Sequence, residues 1–290
     1  MDITNIPLKT IMEIMICLFV VIYGFLIILD AIRLGLRDQK GSFIGQGLVE
    51  AFVSFCASMG FSDFVLCISF WKKFDWMDDK TIPPTLFAAC IVPDSILGFY
   101  FIRTAESVNA GMLALIVAVC CTGTYIGSHF VQKLDGNIIK KVMRIALILS
   151  IGALTIKLIV SNGEPGTLTS LSTGKMLICL PIVFGLGFVN TFGVPVKPAT
   201  APLFLLLGLS PITTLTLVLS LGVFGPASAC IKIFKNKTYH RKIALAGMTF
   251  GAIGALLGCL FTITLKPIVL TILFIVMIII AIISLGKQKS

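Results

Sequence analysis

The sequence predicts an all-α integral membrane protein with an inverted-topology duplicated repeat, about seven spanning helices and two re-entrant or broken-helix hairpins. Three observations lead to this fold class: apolar runs that fill the chain, two interruptions in those runs, and an uneven distribution of positive charge. Of the 290 residues, 57% are hydrophobic and only 12% are charged, whereas a soluble domain averages about 25% charged residues. Such a chain needs lipid as its solvent, and no stretch between the runs is long enough for a soluble domain.

Nine apolar segments supply the predicted elements, because a bilayer core about 30 Å thick needs about 20 apolar residues per helix. The first follows a single cation and lacks a small-residue cleavage site, so we expect a retained helix and not a signal peptide. Two segments are interrupted, at residues 60–63 and 193–198, by Gly, Pro and charged residues that a continuous helix tolerates badly. The segments cover residues 11–32, 43–71, 82–102, 110–131, 138–160, 176–209, 212–233, 243–264 and 267–285.

The Lys and Arg residues decide whether the interrupted segments cross the membrane. If all nine segments cross, the cations divide as 10 against 13, which is almost no bias. If the two interrupted segments enter and leave on the same face, the division is 17 against 5, with Lys197 left at membrane depth. The positive-inside rule favours the second arrangement. It predicts a multi-pass protein of the cell membrane, with the N-terminus outside and the C-terminus in the cytoplasm.

The chain also contains an internal duplication. A shift of 133 residues superposes the two breaks and the glycines and prolines that follow them, so each unit holds one hairpin and three crossings. Because three is odd, the second unit is inverted, which is typical of secondary transporters. The predicted divisions are an extra helix and loop (1–42), a first repeat (43–160), an external linker (161–175) and a second repeat (176–290). The matched pairs include Gly60 with Gly193, Pro93 with Pro226, and, after a two-residue gap, Gly123 with Gly254.

Several function classes are excluded or disfavoured by composition. The net charge of +10 comes from loop cations beside helix ends, which indicates contact with lipid headgroups and not with nucleic acid. The nine cysteines lie in apolar segments without C-x-x-C spacing, so we predict no disulfide framework, no metal and no cofactor. No Walker A pattern is present, which argues against direct use of ATP. Trp71 and Trp76, beside Lys72 and Lys73, are predicted to be interfacial anchors.

Four ionisable residues fall at membrane depth: Glu50, Asp63, Asp94 and Lys197. Each costs about 2.5–3.5 kcal/mol on insertion scales, so each is a candidate functional residue. Asp63 and Lys197 occupy nearly equivalent breaks, and the inverted repeat would bring them together at the centre. The three carboxylates are candidates for proton or ion coupling, while structural pairing with Lys197 is the open alternative.

The second break resembles an anion site. Pro198 at a first helical position would begin a half-helix after Lys197, and free N–H groups near Thr200 would face the midplane. The alternatives are that Lys197 reaches an interface or only neutralises Asp63. Pro93 and Pro226 each free a backbone carbonyl in mid-helix, or merely kink the helix. The neutral groups predicted to line the breaks are Gly60, Ser62, Asn190, Thr191 and Gly193.

Three motifs resemble the sulfite exporter (TauE/SafE) family of permeases. They are residues 185–193 (GLGFVNTFG), residues 202–209 (PLFLLLGL), and Gly247-x3-Gly251-x2-Gly254-x3-Gly258. The resemblance implies a duplicated fold and the passage of small sulfur-containing anions such as sulfite, thiosulfate or organosulfonates, usually out of the cell. The G-x-G-G-G run of that family is not present in either break.

The leading hypothesis is therefore a secondary transporter, in the export direction, for a small anion, and not an enzyme. A second hypothesis is a cation-coupled carrier or channel in which Glu50, Asp63 and Asp94 bind Na⁺ or H⁺. A remote third is an intramembrane aspartyl enzyme, because two embedded aspartates can form an acid/base dyad. The expected partners are the anion, the lipid bilayer, protons or Na⁺, and a second copy of the chain as an open alternative.

Overall fold

The computed structural model describes residues 5–78, 81–105, 108–130, 148, 166–190 and 196–287. Within these ranges the regular elements are helices. There is also one isolated β-bridge, between Leu168 and Leu209. The helices are α1 (Asn5–Leu34), α2 (Phe43–Ser58), α3 (Asp63–Lys73), α4 (Ile82–Thr104), α5 (Ala110–Phe130), α6 (Thr173–Asn190), α7 (Val196–Leu206), α8 (Pro211–Asn236), α9 (Arg241–Thr262) and α10 (Pro267–Lys287). One π-helical turn, Gly247–Gly251, interrupts α9.

Among the described residues, six helices are long and apolar enough to cross a membrane, which confirms the prediction of a helical membrane protein. They are α1, α4, α5, α6, α8 and α9. Large apolar side chains on α1, including Ile11, Val21 and Ile32, are more than half exposed, as expected for a lipid-facing helix. The predicted segment 138–160 lies outside the described residues except for Ile148, which is helical.

The first interrupted segment is a helical hairpin. Helix α2 ends at Ser58, the chain turns through Gly60 with a φ of +92°, and α3 begins at Asp63. The two arms are antiparallel, since Trp71 near the end of α3 donates a hydrogen bond to Glu50 on α2. At the open end, Lys40 and Asp75 form an ion pair of 2.8 Å. The chain therefore enters and leaves this hairpin at the same end of the bundle.

The second interrupted segment also folds back on itself. Helix α6 ends at Asn190 and α7 begins at Val196. Near the open end, the ammonium of Lys175 on α6 donates to the carbonyl of Leu207, just after α7, at 2.7 Å. The bridge between Leu168 and Leu209 closes the same end. The predicted break is thus bounded by helices on both sides, while residues 191–195 lie outside the described ranges.

The two hairpins open at opposite ends of the bundle. We call the end that carries Lys40 and Asp75 the lower end and the end that carries Lys175 the upper end. At the lower end, the backbone N–H of His240, after α8, donates to the hydroxyl of Thr85 at the start of α4. Helix α8 therefore starts at the upper end, where the backbone N–H of its cap Ser210 donates to the Leu168 carbonyl beside the second hairpin.

Close backbone approach fixes each hairpin to a long helix. A Cβ atom on Gly254 of α9 would lie 2.0 Å from the carbonyl oxygen of Ala51 on α2. A Cβ atom on Gly123 of α5 would lie 2.2 Å from the carbonyl oxygen of Phe184 on α6. No side chain fits at either distance, so only glycine permits these contacts. The first hairpin therefore packs on α9, the second packs on α5, and α4 and α8 pack against each other between them.

Candidate functional site

Three buried charges meet where the two hairpins end. Asp63 is the first residue of α3, Lys197 is the second residue of α7, and Asp94 lies in the middle of α4. The Lys197 Nζ is 3.0 Å from Asp63 Oδ1 and 2.8 Å from Asp94 Oδ1. All three residues are at most 4% exposed. We call them the triad. The structure thus brings the two break residues into contact, and it adds Asp94 from a continuous helix.

The local sequence explains how the hairpin tips present these side chains. Ser62 caps α3 by accepting a hydrogen bond from the backbone N–H of Val65, so Asp63 sits in the first turn, where the helix dipole favours a negative charge. Helix α7 begins at Val196, so the expectation that Pro198 occupies the first helical position is wrong. Pro198 still fits because first-turn N–H groups have no intrahelical partner.

A cavity of about 20 Å³ adjoins the triad, which is room for about one water molecule. Its polar lining consists of the triad, the Ser62 hydroxyl and the Asn190 side chain at the end of α6. The predicted assignments of Ser62 and Asn190 to this region therefore agree with their positions. The Oδ2 atom of Asp63 is buried and has no hydrogen-bond partner among the described residues. This oxygen needs a donor, since an unsatisfied buried acceptor is costly.

Two of the predicted lining residues lie elsewhere. Gly60 packs against helix α10, because a Cβ atom at this position would lie 2.5 Å from the ring of Phe274. Thr200 is buried one turn along α7, and its hydroxyl is 3.4 Å from the Lys197 carbonyl oxygen that accepts from it. Neither residue lines the cavity. The predicted candidates Thr191 and Gly193 fall outside the described residues.

The two helix-break prolines have different surroundings. Pro226 of α8 lines the cavity, and the hydroxyl of Ser228 donates to the Gly225 carbonyl beside it. Pro93 precedes Asp94 in α4 and frees the carbonyl of Ala89, one turn earlier. A Cβ atom on Gly247 would lie 2.3 Å from that carbonyl oxygen. The freed carbonyl therefore faces the π-helical turn of α9 and not the cavity.

Glu50 does not belong to the triad. It is buried between the arms of the first hairpin, where Trp71 Nε1 donates to Oε1 at 2.9 Å and Cys67 Sγ is 3.8 Å from Oε2. Within the described residues, no ion pair includes Glu50. Trp71 is completely buried, so the prediction of an interfacial anchor is wrong for this residue. Its indole N–H is needed inside the hairpin, because a buried carboxylate requires donors.

Two residues at the triad were not predicted. Gly222 of α8 lines the cavity, and a Cβ atom there would lie 2.6 Å from Lys197 Cε. Its position could have been inferred, because residue 222 lies one turn before Pro226, in the carbonyl position that this proline frees. Cys90 of α4 is buried one turn before Asp94, on the side of the triad where Asp63 and Cys67 lie. No pattern in the sequence separates Cys90 from the other cysteines.

The lower end carries charged groups outside the membrane-spanning helices. His240 caps α9, its Nδ1 accepting from the backbone N–H of Ile243 at 3.3 Å. Burial, together with the neighbouring cations Lys242 and Arg241, lowers the pKa of His240 to about 4. The exposed pair of Arg241 and Asp38 lies beside it, and their hydrogen bond lowers the pKa of Asp38.

Comparison with family models, with curated proteins and with solved structures gives no match for this chain. The resemblance to the sulfite exporter family therefore stays a prediction that depends on three short motifs.

Proposed function

We propose that this protein is a secondary transporter for a small anion, with Lys197 as the group that attracts it. The observation that carries the proposal is the convergence of two half-helix N-termini, those of α3 and α7, on a buried ammonium beside a cavity. Helix N-termini favour negative charge, and half-helices that end at the centre of a bundle are typical of substrate sites in secondary transporters.

The arrangement of the helices supports an inverted repeat. The hairpins open at opposite ends, each packs on a long helix of the other half of the chain, and α4 and α8 pair at the centre. The residues that make the closest approaches, Gly123 and Gly254, are matched by the sequence duplication. Such symmetry gives two equivalent halves that can exchange access to a shared site. With the excess of Lys and Arg at the lower end facing the cytoplasm, the upper end would face outward.

The cavity limits how the anion is bound. Room for about one water molecule is too small for sulfite, thiosulfate or a sulfonate. The anion therefore enters only when the hairpins separate and at least one carboxylate releases Lys197. We propose sulfur-containing anions as the first substrates to test, because of the family resemblance. The direction of net transport follows the gradients and is part of the test.

The experiment measures uptake and efflux of radiolabelled sulfite, thiosulfate and a small sulfonate in proteoliposomes. Wild type is compared with Lys197→Met and with Lys235→Met, a control that removes an exposed lysine at the end of α8. We expect saturable flux in wild type and in the control, and loss of flux in Lys197→Met. Equal flux in all three proteins, or no anion flux in folded wild type, would contradict the proposal.

A cation-coupled carrier or channel is the second candidate, and the charges of the triad favour it. Two carboxylates and one ammonium, if all are ionised, leave one excess negative charge, and the cavity is of the size of a small cation. Current carried by Na⁺ or H⁺ without any anion substrate would support this candidate against the first.

The aspartyl-enzyme alternative requires the two aspartates to activate a water between them. Asp63 and Asp94 are close enough, but the ammonium of Lys197 bridges their carboxylates. We therefore do not propose it. Asp63→Asn and Asp94→Asn variants that transport normally and lose a proteolytic activity would reverse this choice.

A further inference from the structure

The carboxyl groups of Asp63 and Asp94 approach each other closely. Because Lys197 Nζ is 3.0 Å from one Oδ1 and 2.8 Å from the other, these two oxygens lie within about 6 Å. The single ammonium of Lys197 therefore bridges the two buried carboxyl groups. Ionised carboxylates only accept hydrogen bonds, whereas a protonated one can also donate. With one cation between two buried acids, a proton on one acid removes the excess negative charge and supplies a donor beside Asp63, whose Oδ2 atom has no partner among the described residues.

Other charged and titratable groups do not remove the need for this proton. Lys197 is the single cation among the residues that line the cavity, and α8 contributes only Leu221, Gly222 and Pro226 to the lining. Away from the cavity, the neutral thiols of Cys90 and Cys67 lie between Asp63 and Glu50, which is a further acid. The surroundings thus contain more acidic than basic side chains, and like charges at this distance disfavour ionisation of both aspartates.

We infer that Asp63 and Asp94 share one proton, and that a second proton binds together with the anion, which makes the protein a proton–anion symporter. With no proton the triad has a charge of −1, with one proton it is neutral, and with two protons it is +1. Only the last form leaves Lys197 free to attract an anion. The second proton comes from water on the side where the anion enters and is released to water with it. The symport step rests on the proposed function, whereas the shared proton does not.

The shared proton can be tested by the variant Asp94→Asn. An amide has the shape of a protonated carboxyl group and donates to Asp63 permanently, so we expect this variant to fold with stability close to wild type. In this variant the second proton still has Asp63 to bind, so Asp63→Asn is added, and in the double variant a pH gradient should no longer drive accumulation of labelled sulfite. Asp30→Asn is the matched control. Asp30 is also a buried carboxylate, but its partners are Tyr239 and Lys237 and not the triad. This control should keep the response to pH.

A spectroscopic measurement separates the shared proton from transport. The infrared spectrum of the purified full-length protein near neutral pH should contain the carbonyl stretch of a protonated carboxylic acid that shifts in D₂O. The measurement is made in a Glu50→Gln background, because Glu50 is a second buried acid. We expect this band to disappear in Asp94→Asn and to remain in Asp30→Asn.

Three results would overturn the inference. The first is an infrared spectrum without an acid band that depends on Asp94. The second is a stability of Asp94→Asn as low as that of Lys197→Met, which would mean that Asp94 is needed in its ionised form. The third is accumulation driven by a Na⁺ gradient and not by a pH gradient. In the second and third cases, anion flux that still requires Lys197 would leave the proposed function intact. An Asp94-dependent acid band without anion flux would contradict the proposed function and the symport step that rests on it, and would leave the shared proton in place.

Discussion

The triad and the Glu50 pocket are two buried acidic sites that lie on the same hairpin and have opposite character. At the triad, two aspartates face an ammonium, and a cavity adjoins them. In the Glu50 pocket, an indole N–H and a thiol contact a single carboxyl group, and no cation among the described residues pairs with it. Both sites are buried inside the bundle of helices and shielded from solvent.

The difference between the two sites is whether their charge can change without breaking the fold. With the inferred shared proton, the triad can lose or gain a proton while Lys197 still has a carboxyl group beside it. The Glu50 pocket has neutral donors fixed by packing, and Trp71 is held by the surrounding core. An acid at membrane depth is therefore a weak indicator of function, whereas an acid with a charged partner and adjacent space is a stronger one.

Of the substitutions that test this comparison, removal of Lys197 should lower the stability of the protein most. Lys197→Met leaves two carboxyl groups without a cation in an apolar site, and breaking a buried ion pair costs about 3–5 kcal/mol. We expect the thermal transition of the protein in nanodiscs to fall strongly, while Lys235→Met changes it little. A Lys197→Met variant as stable as wild type would mean that the two aspartates, like Glu50, do not depend on a cation.

The contact between α9 and α2 offers a test of the Glu50 side of the comparison. Gly254→Ala places a methyl group against the Ala51 carbonyl next to Glu50, and overpacking costs about 1–3 kcal/mol. Gly185→Ala on α6 is the matched control, because no atom lies within 4 Å of its added methyl group. We expect a lower transition temperature only for Gly254→Ala. Equal behaviour of the two variants would show that the helix contact is more adaptable than the distance indicates.

Changes within the Glu50 pocket should have smaller effects. Trp71→Phe removes the donor and leaves a buried carboxyl oxygen unsatisfied, at a cost of about 1–2 kcal/mol. Glu50→Gln retains an acceptor for the indole N–H, so we expect it to cost less than Trp71→Phe in the same unfolding assay. If Glu50→Gln is the more damaging of the two and also abolishes anion flux, Glu50 has a charged role, and the distinction between the two sites is wrong.

The effect that is smallest near neutral pH comes from His240, which lies away from the triad at the lower end. The pKa of His240 is about 4 in the folded protein and about 6.5 in an unfolded chain. The unfolded state therefore binds the proton more readily, and stability falls as pH is lowered from about 6.5 to 4. His240→Asn keeps an N-cap and should flatten this part of the stability curve. An unchanged slope in the variant would assign the pH dependence to other groups.

Much of this architecture follows from local chemistry. The break at residues 59–62 was predictable because glycine tolerates a positive φ and serine is a favoured N-cap. The approach of Asp63 to Lys197 followed from the duplicated pattern. The coarse prediction of a membrane protein is confirmed, while the inverted repeat, its orientation and the sulfur substrate stay predictions.

Other features depend on contacts between distant segments and could not be predicted. Asp94 joins the triad because α4 packs beside both hairpin tips, which its own flanking residues do not indicate. Trp71 precedes two lysines, a pattern typical of an interface, yet the fold-back of α3 turns its ring toward Glu50. The duplication placed Gly60 at the site, but the backbone turn directs it toward Phe274. In each case packing between helices overrides the local pattern.

The exchange of partners between the two halves has a consequence for biosynthesis. The hydroxyls of Ser58 and Thr262, which join the first hairpin to α9, are 204 residues apart. A ribosome makes about 5–20 residues per second, so the first hairpin waits about 10–40 seconds for this partner. Lys197 follows Asp63 by 134 residues, so for about 7–27 seconds of that interval Asp63 lacks the ammonium that pairs with it. Early synthesis, and not the finished protein, is therefore the stage at which this chain is most exposed to quality control.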